Sequence, residues 1–206
     1  MARPPRQVVP DQPLHIIQRG NNRTMCFMDE QDFRFYLDVL HGASQRAHCA
    51  VHAYVLMGNH AHMLVTPRDA EGPARMMQAL GRRFVRYFNH VHQRTGTLWE
   101  GRYRSCLIDS PHYFFACSRY IELNPVRAGM IEEPGRYRWT SFRHNAFGNA
   151  DKLVTPHPMY LGLGRHMVGR QAAYRALFER ELEPAALDAI RHATNGGRAL
   201  RSTGGS

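Results

Sequence analysis

The stretch AVHAYVLMGNHAHMLVT, residues 50–66, contains two apolar runs that are separated only by Gly58 and Asn59. Short apolar runs bounded by turn residues predict β-strands, and a two-residue connection that contains glycine predicts a hairpin. We therefore expect strands over residues 50–57 and 60–66. The turn between them is expected to be type II′, with Gly58 at its first central position.

The sequence before and after this hairpin adds one strand and two helices. Residues 13–19 (PLHIIQR) predict a first strand, which a turn cluster at residues 20–22 closes. Asp29 is suited to cap a helix, because apolar residues recur after it at helical spacing. Residues 73–92 carry a second helical stripe, with an apolar face opposite an arginine-rich face.

The following segments complete the pattern of elements. TLWE and RYRSCLI, on either side of Gly101, predict another hairpin. Ser110 followed by Pro111 is typical of a helix start, and that helix is expected to run to about Leu123. Strands and helices in this order predict an α+β fold, in which helices pack against an antiparallel sheet.

The composition becomes looser after about residue 150. Residues 167–193 predict two short helices that are separated at Pro184. The last segment, GGRALRSTGGS (residues 196–206), is expected to be a mobile tail. We therefore divide the chain into a domain of residues 1–150 and a helical extension of residues 151–206 that ends in this tail.

The charge balance of the chain points to a polyanionic partner. The 206 residues contain 27 lysines and arginines against 17 acidic residues, which gives a net charge of +10. Such an excess most often attracts nucleic acid and less often an anionic membrane. The N-terminal sequence MARPPRQVVPDQ has no apolar signal region, and the four cysteines are scattered without a Cys-x-x-Cys pair. We expect a cytoplasmic protein with reduced thiols and no membrane span.

His60 and His62 lie two residues apart in a predicted strand, so their side chains share one face while Ala61 points to the other. Two imidazoles at this spacing are suited to converge on one cation, with a third ligand from elsewhere in the fold. An isolated His-x-His is a weak signal, because any single histidine is more often structural. The other eleven histidines, His15 and His52 among them, are expected to be structural.

The helix that begins near Pro111 carries further candidates. Four residues recur at i, i+4, i+7 and i+11 on one of its faces: Tyr113, Cys117, Tyr120 and Asn124. The two tyrosines are also compatible with a role as core aromatics. Asn124 on this face either has a polar partner or simply ends the helix before Pro125.

Three ordered motifs, MGNHAHMLV, RYFNHVHQRTGTLWEGRYRS and RYIELNPVRAGMI, resemble those of the single-tyrosine HUH transposases. The closest branch is that of the REP-associated tyrosine transposases. The resemblance spans roughly residues 13–145 and implies a ferredoxin- or RRM-like sheet, and the C-terminal segment also resembles extensions of that branch. Gly58 stands where many relatives carry proline, a departure that affects the turn and no ligand.

This resemblance assigns roles to four residues. His60 and His62 correspond to the histidines of the HUH element, Tyr120 to the nucleophile, and Asn124 to a third metal ligand, where relatives often use glutamine or an acid. The implied cofactor is a divalent metal, Mg²⁺ or Mn²⁺. The implied enzyme is a transposase, an endonuclease and strand transferase that cuts single-stranded DNA through a 5′-phosphotyrosine.

The resemblance also implies the DNA substrate and its surroundings. The expected targets are REP-type hairpins with a short unpaired foot, bound by a nucleoid-associated monomer or homodimer. Basic and aromatic side chains are suited to hold phosphates and to stack on unpaired bases. The candidates for DNA binding are Arg19, Arg23, Arg75, Arg82, Arg83, Arg86, Trp99, Arg102, Tyr103 and Arg104.

Three alternative functions stay open at this point. The chain is also compatible with a catalytically weak protein that only binds DNA hairpins. A metallohydrolase would use the histidine pair to activate water, with Tyr120 as a bystander. An HUH replication initiator or relaxase shares the tyrosine chemistry, although the chain has no room for a helicase domain.

Overall fold

The computed structural model describes residues 6–197 and 199–200. The strands in this part of the chain are β1 (Leu14–Arg19), β2 (Cys49–Met57), β3 (His60–Pro67) and β4 (Arg104–Leu107). The α-helices are α1 (Glu30–Arg46), α2 (Gly72–Val91), α3 (Pro111–Glu122), α4 (Asn124–Arg127), α5 (Phe142–Phe147), α6 (Pro158–Leu161), α7 (Met167–Ala176) and α8 (Pro184–Gly196). Single 3₁₀ turns cover Asn21–Arg23 and Pro134–Arg136.

The strands form one four-stranded sheet in the order β2-β3-β1-β4. Every neighbouring pair is antiparallel, and β1 pairs with β3 so that Ile17 lies opposite His62 and Arg19 opposite His60. Side chains that lie opposite each other share a face of the sheet. The predicted α+β fold with an antiparallel sheet is confirmed.

Helices cover both faces of this sheet. On one face, α1 and α2 pack over a core that includes Ile16, Met63 and Phe84. On the other face, α3 and α8 pack over a second core that includes Val55 and Leu64. Because side chains alternate along β3, the histidine pair faces α3 and α8 and not the larger core.

The predicted helix starts are present. The side chain of Asp29 accepts a hydrogen bond from the Asp32 N–H, and the Asp32 carboxylate accepts one from the Asp29 N–H. This reciprocal pair begins α1 as a capping box. The hydroxyl oxygen of Ser110 accepts from the N–H of Tyr113 and begins α3. These side-chain caps therefore begin α1 and α3 at the residues that the sequence predicted.

The β2–β3 hairpin is present, but its predicted type II′ turn is wrong. That turn requires a positive φ at Gly58, and neither Gly58 nor Asn59 has one. An added Cβ at Gly58 would lie 2.5 Å from the Cε of Met25, but that methyl is the end of a flexible, exposed side chain, so the space alone does not require glycine. The Gly58 carbonyl also accepts hydrogen bonds from the N–H groups of Cys26 and Phe27.

The predicted hairpin around Gly101 is also wrong. Before Gly101, Trp99 forms an antiparallel bridge with Gly20, and after it, β4 pairs with β1. Both segments therefore follow the same edge of β1 as one interrupted strand. Gly101 has a φ of +132°, a conformation that is accessible to glycine, so it distorts the strand without reversing the chain.

The two C-terminal helices agree with the prediction, and α8 ends at Gly197 with a φ of +66°. The expected mobile tail is wrong for residues 199–200. Leu200 is buried, and its N–H donates to the carbonyl oxygen of Leu107 in β4. Residue 198 and residues 201–206 of that tail lie outside the described residues.

Two predictions from composition concern the chain as a whole. All four cysteines are buried and unpaired, as expected for reduced thiols. Among the helices that the structure describes, none combines the length and the apolar character needed to cross a bilayer.

Candidate active site

The predicted histidine pair lies on β3, on the face that α3 covers. The ring centroids of His60 and His62 are 5.0 Å apart, and the rings are nearly perpendicular. His62 is buried, whereas His60 is half-buried at the end of the strand. The pair therefore has one ring within the protein and one ring toward its surface.

Each of these histidines has a hydrogen-bond partner at Nδ1. His60 Nδ1 lies 2.6 Å from Oδ1 of Asn59, the residue that precedes it. An amide oxygen only accepts, so His60 Nδ1 donates and its Nε2 keeps a lone pair in the neutral ring. His62 Nδ1 lies 2.8 Å from Nε2 of a third histidine, His15 on β1.

Burial keeps the pair neutral. Desolvation, together with a smaller effect of the positive charge of Arg19, lowers the pKa of His60 to about 4. Desolvation also holds the pKa of His62 well below its ordinary value, with smaller effects from His15, His60 and Arg127. Both rings are therefore neutral near neutral pH, which is the form in which imidazole binds a metal.

Tyr120 projects from α3 toward this pair. Its ring centroid lies 5.7 Å from that of His62 and 5.7 Å from that of His15, edge to face in both cases. The guanidinium of Arg127 lies 4.4 Å from the centroid of the Tyr120 ring and donates a hydrogen bond to the Tyr120 carbonyl oxygen. The phenol is half-buried beside two neutral imidazoles and one arginine.

Asn124 reaches the same cluster because it follows Tyr120 at i+4 on the same helix side. α3 ends at Glu122 and the short α4 begins at Asn124. The Asn124 side chain lies beside His60, and its amide nitrogen is buried with no partner among the described residues. The predicted stripe is thus divided, since Cys117 lies in the core while Tyr120 and Asn124 lie beside the histidines.

Three predicted DNA-binding arginines lie at the rim of this cluster. Arg19 lies opposite His60 in the sheet register. A cleft on this side of the molecule is lined by Arg19, Arg102, Arg104 and Asn195, and Arg104 donates to the Asn195 side chain at 2.9 Å. The three arginines outnumber the one acidic residue of the cleft, Glu100, which lies 3.9 Å from Arg104, so the cleft is positively charged.

Other predicted DNA-binding residues lie away from this cluster. Arg75, Arg82, Arg83 and Arg86 are exposed on α2, which packs against the opposite face of the sheet. Arg23 is exposed in the 3₁₀ turn after β1. Trp99 packs against Phe84 in the core, at 5.8 Å between centroids, and Tyr103 is buried beneath the guanidinium of Arg6. The two aromatic rings leave little surface for a base to stack on.

A second group of potential metal ligands, Asp29, Asp32 and His92, lies at the start of α1. The oxygens of Asp32 already accept from the N–H groups of Met28 and Asp29 and lie 3.0 Å from His92 Nε2. These contacts are those of a helix cap that is tied to the end of α2. We assign this group a structural role.

Three residues of the cluster, His15, Arg127 and Thr194, were not among the predicted site residues. His15 was expected to be structural, but it contacts His62, and its other ring nitrogen contacts Thr194 on α8. Arg127 follows Tyr120 at i+7, a spacing that places both on one helix side, so a signal for it was available. His15 and Thr194 are 179 residues apart, and nothing in the sequence alone indicates that they meet.

Comparisons with known proteins concern the fold and the family of the chain. In structure, the chain is similar to a REP-associated tyrosine transposase solved bound to a REP hairpin, at 17% identity and a TM-score of 0.58, over 76% of this chain and 93% of that one. It is also similar to a protein of Deinococcus radiodurans R1 that was provisionally assigned as a transposase, at 24% identity and a TM-score of 0.42, over 59% and 96% of the two chains. No curated protein matches the chain in sequence. Residues 8–124 match the family of IS200-like transposases, and since this is more than half of the 206 residues, the chain belongs to the IS200-like transposase family.

Proposed function

We propose that the protein is a metal-dependent endonuclease and strand transferase that acts on single-stranded DNA within REP-type hairpins, through a 5′-phosphotyrosine intermediate. The observation that carries this proposal is the position of Tyr120, whose ring lies 5.7 Å from that of the neutral His62. Family membership supports the transposase class, and the cluster supports the particular chemistry.

The tyrosine would act as the nucleophile. The Tyr120 oxygen forms a bond to phosphorus, the bond from phosphorus to the 3′ oxygen breaks, and the phenol proton ends on that 3′ oxygen. The products are a 5′-phosphotyrosine and a free 3′-hydroxyl. Because the phosphodiester is exchanged and not hydrolysed, a second 3′-hydroxyl can later reverse the step without ATP. The guanidinium of Arg127 lies over the ring, where it would stabilise the negative charge that develops during attack.

The donor set of the cluster fits a divalent cation. Two neutral imidazoles, one with a free Nε2, lie beside the side chain of Asn124, whose amide oxygen is a suitable metal ligand. His60, His62 and Asn124 would hold the ion. When bound, such an ion polarises a non-bridging phosphate oxygen. Phosphate chemistry suits Mg²⁺, which keeps water in its open positions, and we expect Mn²⁺ to replace it in vitro.

The distribution of arginines supports an unpaired strand as the substrate. Arg19, Arg102 and Arg104 line one cleft at the rim of the cluster, and they would hold the phosphates of the flank that is cut. The arginines of α2 are on the other side of the sheet, so they are suited to a more distant part of the same DNA. The net charge of +10 supports binding of a polyanion over an extended surface.

The test is formation of a covalent adduct with a labelled hairpin oligonucleotide, detected on a denaturing gel. Tyr120→Phe removes one oxygen, so the variant should fold and bind but form no adduct. Tyr113→Phe is the matched control, because Tyr113 lies on the same helix and packs against the core. A hydrolase would instead release a free 5′-phosphate, and equal adduct from Tyr120→Phe would reject the proposed nucleophile.

A further inference from the structure

His15 lies in the middle of a buried chain of hydrogen bonds. Its Nε2 is 2.8 Å from His62 Nδ1, and its Nδ1 is 3.0 Å from the hydroxyl oxygen of Thr194. The same hydroxyl lies 2.7 Å from the carbonyl oxygen of Ile190, one helical turn earlier in α8. Three elements, β3, β1 and α8, are joined by this chain.

The direction of each hydrogen bond follows from its ends. A carbonyl oxygen only accepts, so the Thr194 hydroxyl donates to Ile190, and its oxygen then accepts from His15 Nδ1–H. One proton lies between His15 Nε2 and His62 Nδ1. If His15 carried it, His15 would be a buried imidazolium whose hydrogen-bond partners in the described chain include no carboxylate. The proton therefore belongs to His62 Nδ1.

We infer that His15 and Thr194 are positioning residues that fix the tautomer and the ring orientation of His62, so that its Nε2 keeps the lone pair. The inference deepens the proposed function, since that lone pair is the one that would bind the metal. Partners of this kind orient histidine ligands and raise their basicity. It also makes α8, from the C-terminal extension, a component of the active site.

Different hydrogen-bond partners hold the two histidines of the pair in the same tautomer. His60 is held by its sequence neighbour Asn59, whereas His62 depends on residues that are distant in the chain. Asn59 thus orients His60, and the packing of α8 against the sheet orients His62 through His15. Substitution of His15 should therefore leave the hydrogen bond between His60 and Asn59 intact.

The direct test is ¹⁵N NMR of the histidine side chains in the metal-free protein. We expect His62 to be the Nδ1–H tautomer in the wild type and to lose this preference in His15→Phe, which keeps a ring but has no acceptor. His15→Gln should restore it, because a glutamine oxygen can accept from His62. An Nε2–H tautomer in the wild type, or an unchanged tautomer in His15→Phe, would overturn the inference.

The second readout is Mn²⁺ affinity by calorimetry. Loss of such a partner typically weakens metal binding by about 10–100-fold, and we expect this for His15→Phe and a smaller loss for Thr194→Val, with His15→Gln near wild type. His52→Phe is the matched control, since His52 is also buried and bridges Thr66 and Thr155 but lies on β2 without contact to His62. If His15→Phe and His52→Phe lost Mn²⁺ affinity equally, His15 would have only a structural role. A wild type with the expected tautomer but no covalent adduct would refute the proposed function instead.

Discussion

Glu122 is a buried carboxyl group whose ionisation should make the stability of the protein depend on pH. It is fully buried and accepts hydrogen bonds from Ser141 Oγ, from Asn145 Nδ2 at 3.1 Å and from the Tyr174 hydroxyl at 2.8 Å. Burial raises its pKa from 4.5 to about 7, although these donors partly oppose the shift. The residue joins α3, which carries Tyr120, to α5 and α7.

The direction and the magnitude of this pH dependence follow from the linkage between proton binding and folding. A carboxyl with a raised pKa in the folded state favours folding while it is protonated. Glu122 thus contributes its full stabilisation below pH 4.5 and loses it as the pH rises through about 7. One pKa unit corresponds to about 1.4 kcal/mol, so the full change is about 3 kcal/mol. Most of it should fall between pH 5 and pH 8.

The perturbation is Glu122→Gln, which keeps the shape of the side chain and removes its charge. Buried histidines with lowered pKa values act in the opposite direction, so only the difference between wild type and variant isolates Glu122. We expect the free energy of unfolding of the wild type to fall by about 3 kcal/mol relative to that of Glu122→Gln between pH 4.5 and pH 8. Urea unfolding measures this difference. The exposed Glu132→Gln is the control. A difference that stays constant with pH would refute the reasoning.

Two further predictions concern the metal site and the substrate. Asn124→Gln and Asn124→Asp should keep more cleavage activity than Asn124→Ala, because both retain an oxygen that can bind a metal; equal rates for all three would mean that Asn124 only ends the helix. Cleavage should occur on a hairpin with an unpaired flank and not on the matched duplex, and binding should weaken steeply with salt because arginine–phosphate contacts release counterions. Gel shift and cleavage assays at two salt concentrations measure both effects, and equal cleavage of the duplex would contradict the single-strand substrate.

Periodicity and capping residues were sufficient to predict most of the fold. Alternation placed His60 and His62 on one face, and Asp29 and Ser110 marked helix starts that the structure confirms. The segment around Gly101 was misassigned because two runs of similar composition can pair with each other or with a third strand. Local pattern carries no information about which partner a strand selects.

The site was predictable where its residues lie close in sequence or in a recognised motif. His15 and Thr194 were not, because their contact depends on the pairing of β1 with β3 and on the packing of α8. Trp99, in contrast, was predicted to bind DNA but is buried. An aromatic residue among arginines suggested a surface for bases, but the ring fills the core beside Phe84.

Covalent attachment of Tyr120 to DNA is the step on which the proposed function depends. Its most direct test is peptide mapping by mass spectrometry of the adduct that forms when wild-type protein is incubated with Mn²⁺ and a hairpin oligonucleotide. We expect one modified peptide, with the 5′-phosphate of the cut strand on Tyr120, and no adduct in excess chelator. A phosphate on another residue, or the same adduct in chelator, would contradict this expectation.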